Sequence, residues 1–125
     1  SPDSVYVQWC CNYQDFLRKH VDFPRTQSPN NNQYCDVMMM RRGMSSSGRC
    51  KGLNTFVHTD PQNLVQVCTN QPDRAIRTTG QQFPVTVCKL IRRKPSCRYS
   101  GTRQNHRVQV GCFRGHPVHL NNTFP

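Results

Sequence analysis

Three side chains in this sequence are of types that could perform proton transfer on a phosphate ester: His20, Lys51 and His119. Two histidines can divide acid and base work near neutral pH, because an ordinary imidazole pKa of about 6.5 leaves one ring neutral while the other is charged. A lysine beside them would stabilise negative charge that develops on a phosphoryl oxygen. Residue type alone leaves a structural role open for each of the three. We interpret the remaining histidines as structural or merely exposed: His58, His106 and His116.

Three helices are predicted in the N-terminal half of the chain, and the first of them carries His20. "NYQDFLRKHVDF" predicts a first helix that carries Phe16 and His20 on one face. "NNNQYCDVMMMRRGM" predicts a second helix with Asn31 or Asn32 as its cap, arginines in its last turn and its methionines in the core. "TDPQNLVQVC" predicts a short third helix, capped by its threonine or aspartate, with the proline in the first helical position.

The remaining segments show the alternation that is typical of β-strands. "LNTFVH" follows the second helix, and "FPVTVCKLI", "HRVQVGCF" and "HPVHL" follow the third, with turn signals between them. Helices that come first and strands that dominate later are typical of an α+β fold. We therefore predict a single domain in which three short helices pack on a twisted antiparallel sheet.

Composition indicates how such a small domain would be held together. The chain has 125 residues and an apolar fraction of 34%, which predicts one modest core that needs covalent cross-links. Eight cysteines could supply disulfides in an oxidising compartment, whereas a zinc site is not predicted because no C-x-x-C spacing occurs. No apolar run is long enough to span a bilayer, and the polar start fits a secreted chain whose signal has been removed.

The charge of the chain points to an anionic partner. Seventeen Lys and Arg residues against six Asp and Glu residues give a net charge of +11, spread along the whole sequence. Such a surface favours polyanions, although solubility alone is the simpler explanation. The residues predicted to contact polyanions form two clusters: Arg41 and Arg42, and Arg92, Arg93 and Lys94.

Three motifs stand in order along the chain: "RKHVDF", "CKGLNTFVH" and "HPVHLNN". The second resembles the C-K-x-x-N-T-F signature of the pancreatic ribonuclease superfamily, while the first and third resemble the segments that carry that family's first and second catalytic histidines. Six cysteines also fall in the family order. The resemblance runs from about residue 14 to the C-terminus, so residues 1–125 are predicted to form one ribonuclease A-like domain with an extra segment at about 1–12.

This resemblance implies a metal-independent reaction on RNA that needs no cofactor. His20 would take the proton from the ribose 2′-OH, His119 would protonate the leaving 5′-oxygen, and Lys51 would support the phosphoryl transition state. Cleavage after pyrimidines would leave a 2′,3′-cyclic phosphate. The implied substrate-binding residues are Lys19, Asn54, Thr55, Leu120 and Asn122, with Thr55 reading the base. The implied disulfides are Cys35–Cys88, Cys50–Cys97 and Cys68–Cys112.

Several positions depart from the family pattern. No cysteine lies between Cys68 and Cys88, as in the three-disulfide angiogenin branch, and "MMMRRGM" resembles the angiogenin segment tied to nuclear entry. Lys19 stands where the family usually has glutamine, and as a like charge it should lower the pKa of His20. Asn121 stands where an aspartate usually orients the second histidine. We therefore expect a working but weaker nuclease.

Two other classes of function remain open from the sequence. The first is a cationic host-defence protein that kills bacteria by binding acidic membranes or other polyanions without catalysis. The second is a disulfide-stapled growth factor that only binds a receptor. Further predicted partners are heparin-like polyanions and ribonuclease inhibitor protein. Cys10 and Cys11 would form either a strained vicinal disulfide or a link between two chains, so a dimer is the alternative to a monomer.

Overall fold

The computed structural model describes residues 12–46 and 48–125, and these contain three helices in the first part of the chain. Cys10 and Cys11 lie outside the described residues. The helices are α1 (Tyr13–His20), α2 (Asn31–Arg41) and α3 (Gln62–Val65), the last of which continues as a 3₁₀ turn over Gln66–Cys68. None of the helices in the described ranges is long and apolar enough to cross a membrane.

Asparagine side chains start the two longer helices. The Asn12 side chain accepts from the Asp15 N–H, and that of Asn30 accepts from the Gln33 N–H, each at 2.8 Å. The predicted cap at Asn31 or Asn32 is therefore wrong by one or two residues, because the first asparagine of the run precedes the helix and takes the cap position. Gly43 follows α2 with a φ of 79°, which ends the helix as predicted.

The short helix differs slightly from its prediction. It begins at Gln62, with Pro61 just before the first helical residue and not within it. The Asp60 carboxylate accepts from the Gln62 N–H at 2.9 Å. The cap position itself is occupied by Pro61 and has no side-chain cap bond, so neither of the two predicted caps lies there, although the aspartate satisfies a main-chain donor at this helix start.

Five strands form one antiparallel sheet, which confirms the predicted α+β class. The strands of the described residues are β1 (Ser45–Ser46), β2 (Arg49–Cys50), β3 (Leu53–Val57), β4 (Ile76–Thr78), β5 (Phe83–Arg92), β6 (Arg98–Phe113) and β7 (His116–Phe124). The order of the five-stranded sheet is β3–β5–β6–β4, and β7 also pairs with β6; a separate two-stranded pair joins β1 and β2. The predicted strand at "HRVQVGCF" is only the second half of β6, which is long enough to pair with three neighbours.

The helices pack on the sheet through two buried clusters. One joins Phe16 of α1 and Leu64 of α3 to valines of β3, β5 and β6. The other joins Tyr34 and Met38 of α2 to Phe56 of β3 and to neighbouring residues. Met38 and Met39 are buried as predicted, but Met40 is 59% exposed, because one step along the helix turns its side chain away from the core.

Three disulfides connect the helices and loops to the sheet, in the pairing that the family resemblance implied. Cys35–Cys88 joins α2 to β5, Cys50–Cys97 joins β2 to the segment before β6, and Cys68–Cys112 joins the 3₁₀ turn to β6. Each closes a loop of 44 to 53 residues. Loops of this length make each bond worth about 4 kcal/mol if chain entropy is the main contribution.

Candidate active site

A cavity of about 460 Å³ brings together the three residues that were predicted to be catalytic. His20 is the last residue of α1, Lys51 lies between β2 and β3, and His119 lies on β7. The helix packs against both β3 and β7, which closes the cavity around these side chains. Residues that are nearly a hundred positions apart in the chain therefore share one site.

His20 is held by the strand that it faces. Its Nδ1 lies 3.0 Å from the Thr55 carbonyl oxygen, and its ring centroid lies 5.5 Å from that of Phe16. A carbonyl oxygen can only accept, so Nδ1 carries the proton and Nε2 is left with a lone pair. Burial lowers the pKa of His20 to about 3, reinforced by the charges of Lys51 and Lys19, while the bond to Thr55 opposes the change. The imidazole is therefore neutral and able to accept a proton.

Lys51 is fixed at both its main chain and its side chain. Its N–H donates to the Met44 carbonyl at 3.0 Å, and its carbonyl accepts from the Tyr99 hydroxyl at 2.6 Å. Its Nζ donates to Asn54 Oδ1 at 2.9 Å. Burial, and then the charges of Lys19 and Arg18, lower the pKa of Lys51. The ammonium group is thus aimed into the cavity by contacts within the protein.

Asn54 uses both ends of its side-chain amide inside the protein. Besides accepting from Lys51, it donates through Nδ2 to the Lys19 carbonyl at 2.8 Å, and it is only 2% exposed. It lines the cavity, as expected for a predicted substrate-binding residue. Its hydrogen bonds show a further role, since it ties the lysine to the end of α1.

His119 stands on the more open side of the cavity. Partial burial, and the positive charges of Lys51 and Lys19, lower its pKa. Asn121, which replaces the aspartate of the family pattern, lines the same cavity and donates from its amide to the Gln109 side chain. The amide that replaces the carboxylate is therefore engaged by β6.

The other predicted substrate-binding residues also line this cavity: Lys19, Thr55, Leu120 and Asn122. The Lys19 ammonium forms an ion pair of 3.1 Å with Asp15, one turn earlier on α1. Asp15 itself lines the cavity, and sequence reasoning missed it. The signal was the spacing of four residues, which puts an acid and a base side by side on a helix.

His106 is the second residue that sequence reasoning missed. It was interpreted as structural or exposed, yet it lines the cavity, and its Nδ1 lies 3.0 Å from Thr123 Oγ1. By contrast, His58 is buried between the Asp22 carbonyl and the Thr86 hydroxyl, and His116 is exposed beside the ring of Tyr13. The structural or exposed interpretation is confirmed for these last two histidines.

The two basic clusters differ in their surroundings. Arg92, Arg93, Lys94 and Arg41 are all exposed. The Arg42 guanidinium instead turns inward and donates to the carbonyls of residues at the end of α1, at 3.2, 2.8 and 2.8 Å: Leu17, Arg18 and Val21. This geometry argues against the predicted contact between Arg42 and a polyanion, because its donors already satisfy the carbonyls that the helix end leaves open.

Comparison with known proteins assigns the chain to a family. The residue pattern that describes pancreatic ribonuclease matches residues 11–121. The chain belongs to the pancreatic ribonuclease family. A protein called angiogenin from Gallus gallus is 66% identical over 113 residues, which cover 90% of this chain and 81% of the relative. Another Gallus gallus protein, called a ribonuclease homolog, is 63% identical over the same length and coverage.

Solved structures agree with this assignment. The crystal structure of green turtle egg white ribonuclease matches with a TM-score of 0.78 and 36% identity, covering 90% of this chain and 98% of the turtle protein. This pancreatic ribonuclease is therefore an RNA-cleaving enzyme with an angiogenin-like relationship, as the motifs predicted. The family assignment favours a nuclease over the host-defence and growth-factor alternatives.

Proposed function

We propose that this ribonuclease cleaves RNA on the 3′ side of pyrimidines by transphosphorylation. The observation that carries the proposal is the neutral His20, whose Nδ1 is bound to the Thr55 carbonyl in the cavity that also holds Lys51 and His119. A neutral imidazole with a lone pair at Nε2 is suited to general-base catalysis. A second histidine and an ammonium group nearby supply a proton and positive charge.

The reaction balances with these three groups. His20 removes the proton from the ribose 2′-OH while the 2′-oxygen attacks phosphorus, and the bond from phosphorus to the 5′-oxygen breaks. His119 gives its proton to that 5′-oxygen, so the products are a 2′,3′-cyclic phosphate and a free 5′-hydroxyl. Lys51 stabilises the charge on the non-bridging oxygens. Water can later open the cyclic phosphate with the two histidines in exchanged roles.

Thr55 is the proposed base-reading residue. Its hydroxyl can both donate and accept, so it suits either cytosine or uracil. Its position supports this role, because the Thr55 carbonyl binds His20 while the residue itself lines the cavity. Thr55→Ala should therefore weaken cleavage after both pyrimidines.

Dinucleotide cleavage tests the proposal. The parent protein should cleave uridylyl-adenosine and leave its 2′-deoxy analogue intact. His20→Ala and His119→Ala should each lower kcat/KM by roughly 10²–10⁴-fold, the range for losing a general acid or base. His116→Ala is the matched control, because this histidine is exposed and does not line the cavity. Near-normal rates in either catalytic variant, or equal cleavage after purines by the parent, would overturn the proposal.

We propose a secreted protein, because three disulfides require an oxidising compartment. Ribonuclease inhibitor protein is a proposed partner, and nuclear or nucleolar uptake after secretion is a proposed route that would use the exposed Arg41.

The oligomeric state is proposed to be monomeric, with a disulfide-linked dimer through Cys10 or Cys11 as the alternative. Non-reducing and reducing electrophoresis of the secreted protein separates these two states.

A second, non-catalytic activity is proposed for the exposed cluster Arg92, Arg93 and Lys94. This activity is the binding of heparin-like polyanions and acidic membranes, and membrane binding is the proposed source of a bactericidal effect. Replacing all three residues with glutamine should lower the salt needed for elution from heparin and leave dinucleotide cleavage unchanged. Arg74, Arg77 and Arg114 replaced together form the control, because they remove the same charge from another exposed surface. Equal loss of heparin binding in both triple variants would show that net charge alone is responsible.

A further inference from the structure

His106 and Thr123 form a pair in the cavity wall, and neither residue belongs to the sequence motifs that identified the site. The register of β6 and β7 sets Thr123 beside Val108, and His106 lies two residues earlier on the same face of β6. Diagonal neighbours of this kind are within side-chain reach. Accordingly, His106 Nδ1 lies 3.0 Å from Thr123 Oγ1, and both residues line the cavity.

The hydrogen bond between His106 and Thr123 has two possible directions. Each direction leaves the Thr123 hydroxyl with a different set of donor and acceptor sites for a ligand. A hydroxyl has one proton and two acceptor sites, whereas an imidazole nitrogen either donates or accepts. If Nδ1 accepts, the threonine proton is consumed and Oγ1 can only accept from a ligand. If Nδ1 donates, the threonine proton is free to be donated, and one acceptor site remains.

The two pyrimidines differ at the group that such a hydroxyl could read. Position 4 carries a carbonyl oxygen in uracil, which accepts, and an amino group in cytosine, which donates. The oxygen or nitrogen of each other amide in the cavity has a partner within the protein, since Asn54 Oδ1 accepts from Lys51, Asn121 donates to Gln109, and Asn122 Oδ1 accepts from the Thr123 N–H. The proposed function puts the ribose beside His20 and one edge of the base beside Thr55. The His106–Thr123 pair is a polar group of the cavity that is left to contact position 4 on the other edge of the base.

We propose that His106 sets the preference between uracil and cytosine by fixing the direction of its hydrogen bond to Thr123. His106 acts here as a positioning residue, and Thr123 is the residue that meets the base. A donating His106 favours uracil, because it frees the threonine proton. An accepting His106 favours cytosine. The inference rests on the proposed cleavage after pyrimidines and adds the means by which the enzyme chooses between them.

Two substitutions force the bond into opposite directions. The ammonium group of His106→Lys can only donate, whereas the carboxylate of His106→Glu can only accept at neutral pH. The measured quantity is the ratio of kcat/KM for uridylyl-adenosine to that for cytidylyl-adenosine. Effects shared by both substrates, such as a change in phosphate attraction or in folded fraction, cancel in this ratio. We expect the ratio to rise about threefold to tenfold in the lysine variant and to fall by a similar factor in the glutamate variant, the change typical of one hydrogen bond.

Thr123→Val supplies the control, because it keeps the side-chain shape but has no hydroxyl. In this background the two His106 substitutions should give equal ratios. The inference is overturned if the lysine and glutamate variants have the same ratio in the parent background. It is also overturned if their opposite shifts persist without the Thr123 hydroxyl. A parent that cleaves after purines as fast as after pyrimidines would instead show that the proposed function is wrong.

Discussion

Lys51 and Asn54 are joined by a hydrogen bond of 2.9 Å from Nζ to Oδ1, and the same amide donates to the Lys19 carbonyl at 2.8 Å. One buried side chain therefore links the lysine before β3 to the helix that ends in His20. The lysine and the histidine of the proposed mechanism are thus positioned by a shared contact. This arrangement makes Asn54 a residue whose loss should act on catalysis through its neighbours.

Asn54→Ala should lower kcat/KM about tenfold or more, because it frees the lysine and leaves the partly buried Lys19 carbonyl without its donor. Asn54→Asp keeps an acceptor for Lys51 but cannot donate to Lys19, so we expect partial activity. Asn63→Ala is the matched control, since it removes an amide bonded to Thr59 outside the cavity. Rates are measured on uridylyl-adenosine, with unfolding curves for all variants. Parent-like activity in Asn54→Ala would refute the positioning role.

The ion pair between Asp15 and Lys19 places a negative charge inside the cavity that receives the phosphate in the proposed reaction. Asp15→Asn should raise kcat/KM about twofold to fivefold at low salt, because Lys19 becomes available and a repulsive charge is lost. Asp73→Asn makes the same change of charge at an exposed turn outside the cavity and should have little effect. The gain should shrink as salt screens the interaction. An equal gain in both variants would assign the effect to net charge.

The pH profile of kcat/KM should be bell-shaped with its maximum on the acid side of the ordinary histidine pKa of about 6.5. The proposed mechanism needs neutral His20, which holds above its pKa, and protonated His119, which holds below its pKa. Both pKa values are lowered, by burial first and by Lys51 and Lys19 as well, so both limbs move to lower pH. Lys19→Gln should move the maximum back towards neutral pH. A maximum above pH 7 in the parent would contradict this electrostatic description.

The buried carboxylate of Asp22 should make stability depend on pH. It accepts from the Tyr34 hydroxyl at 2.6 Å and from the Thr26 N–H and hydroxyl at 2.9 Å. Burial opposes ionisation, but these bonds and the charge of Arg42 leave the pKa of Asp22 lowered. A lowered pKa stabilises the fold above the unfolded value of about 3.9, and this contribution is lost as pH falls through the folded value.

Tyr34→Phe tests this contribution. It should cost about 1.5–3 kcal/mol at pH 6, the range for a hydrogen bond to a charged group, and less near pH 3. Tyr99→Phe is the matched control, because its hydroxyl donates to the uncharged Lys51 carbonyl and its cost should not depend on pH in this range. Urea unfolding at both pH values supplies the free energies. Equal costs for Tyr34→Phe at pH 6 and pH 3 would show that the charge of Asp22 does not contribute.

The sequence by itself determined the features that depend on local spacing or on motif identity. The helical period put Phe16 and His20 on one face, alternation located most of β5 and the second half of β6, and the order of the cysteines carried their pairing through the family resemblance. These signals are short-range or inherited with the motif, so they are readable without coordinates.

Only the tertiary structure decided which polar groups meet across the fold. Arg42 reaches carbonyls 21 to 25 residues away, His20 binds a carbonyl 35 residues away, and His106 meets a hydroxyl 17 residues away across a bend between strands. Neither hydrophobic period nor residue type encodes such partners, because each bond depends on how a helix or strand is placed against another. An arginine that looked like part of a basic signal therefore proved to be a helix-end contact, and a histidine interpreted as structural or exposed proved to line the active-site cavity.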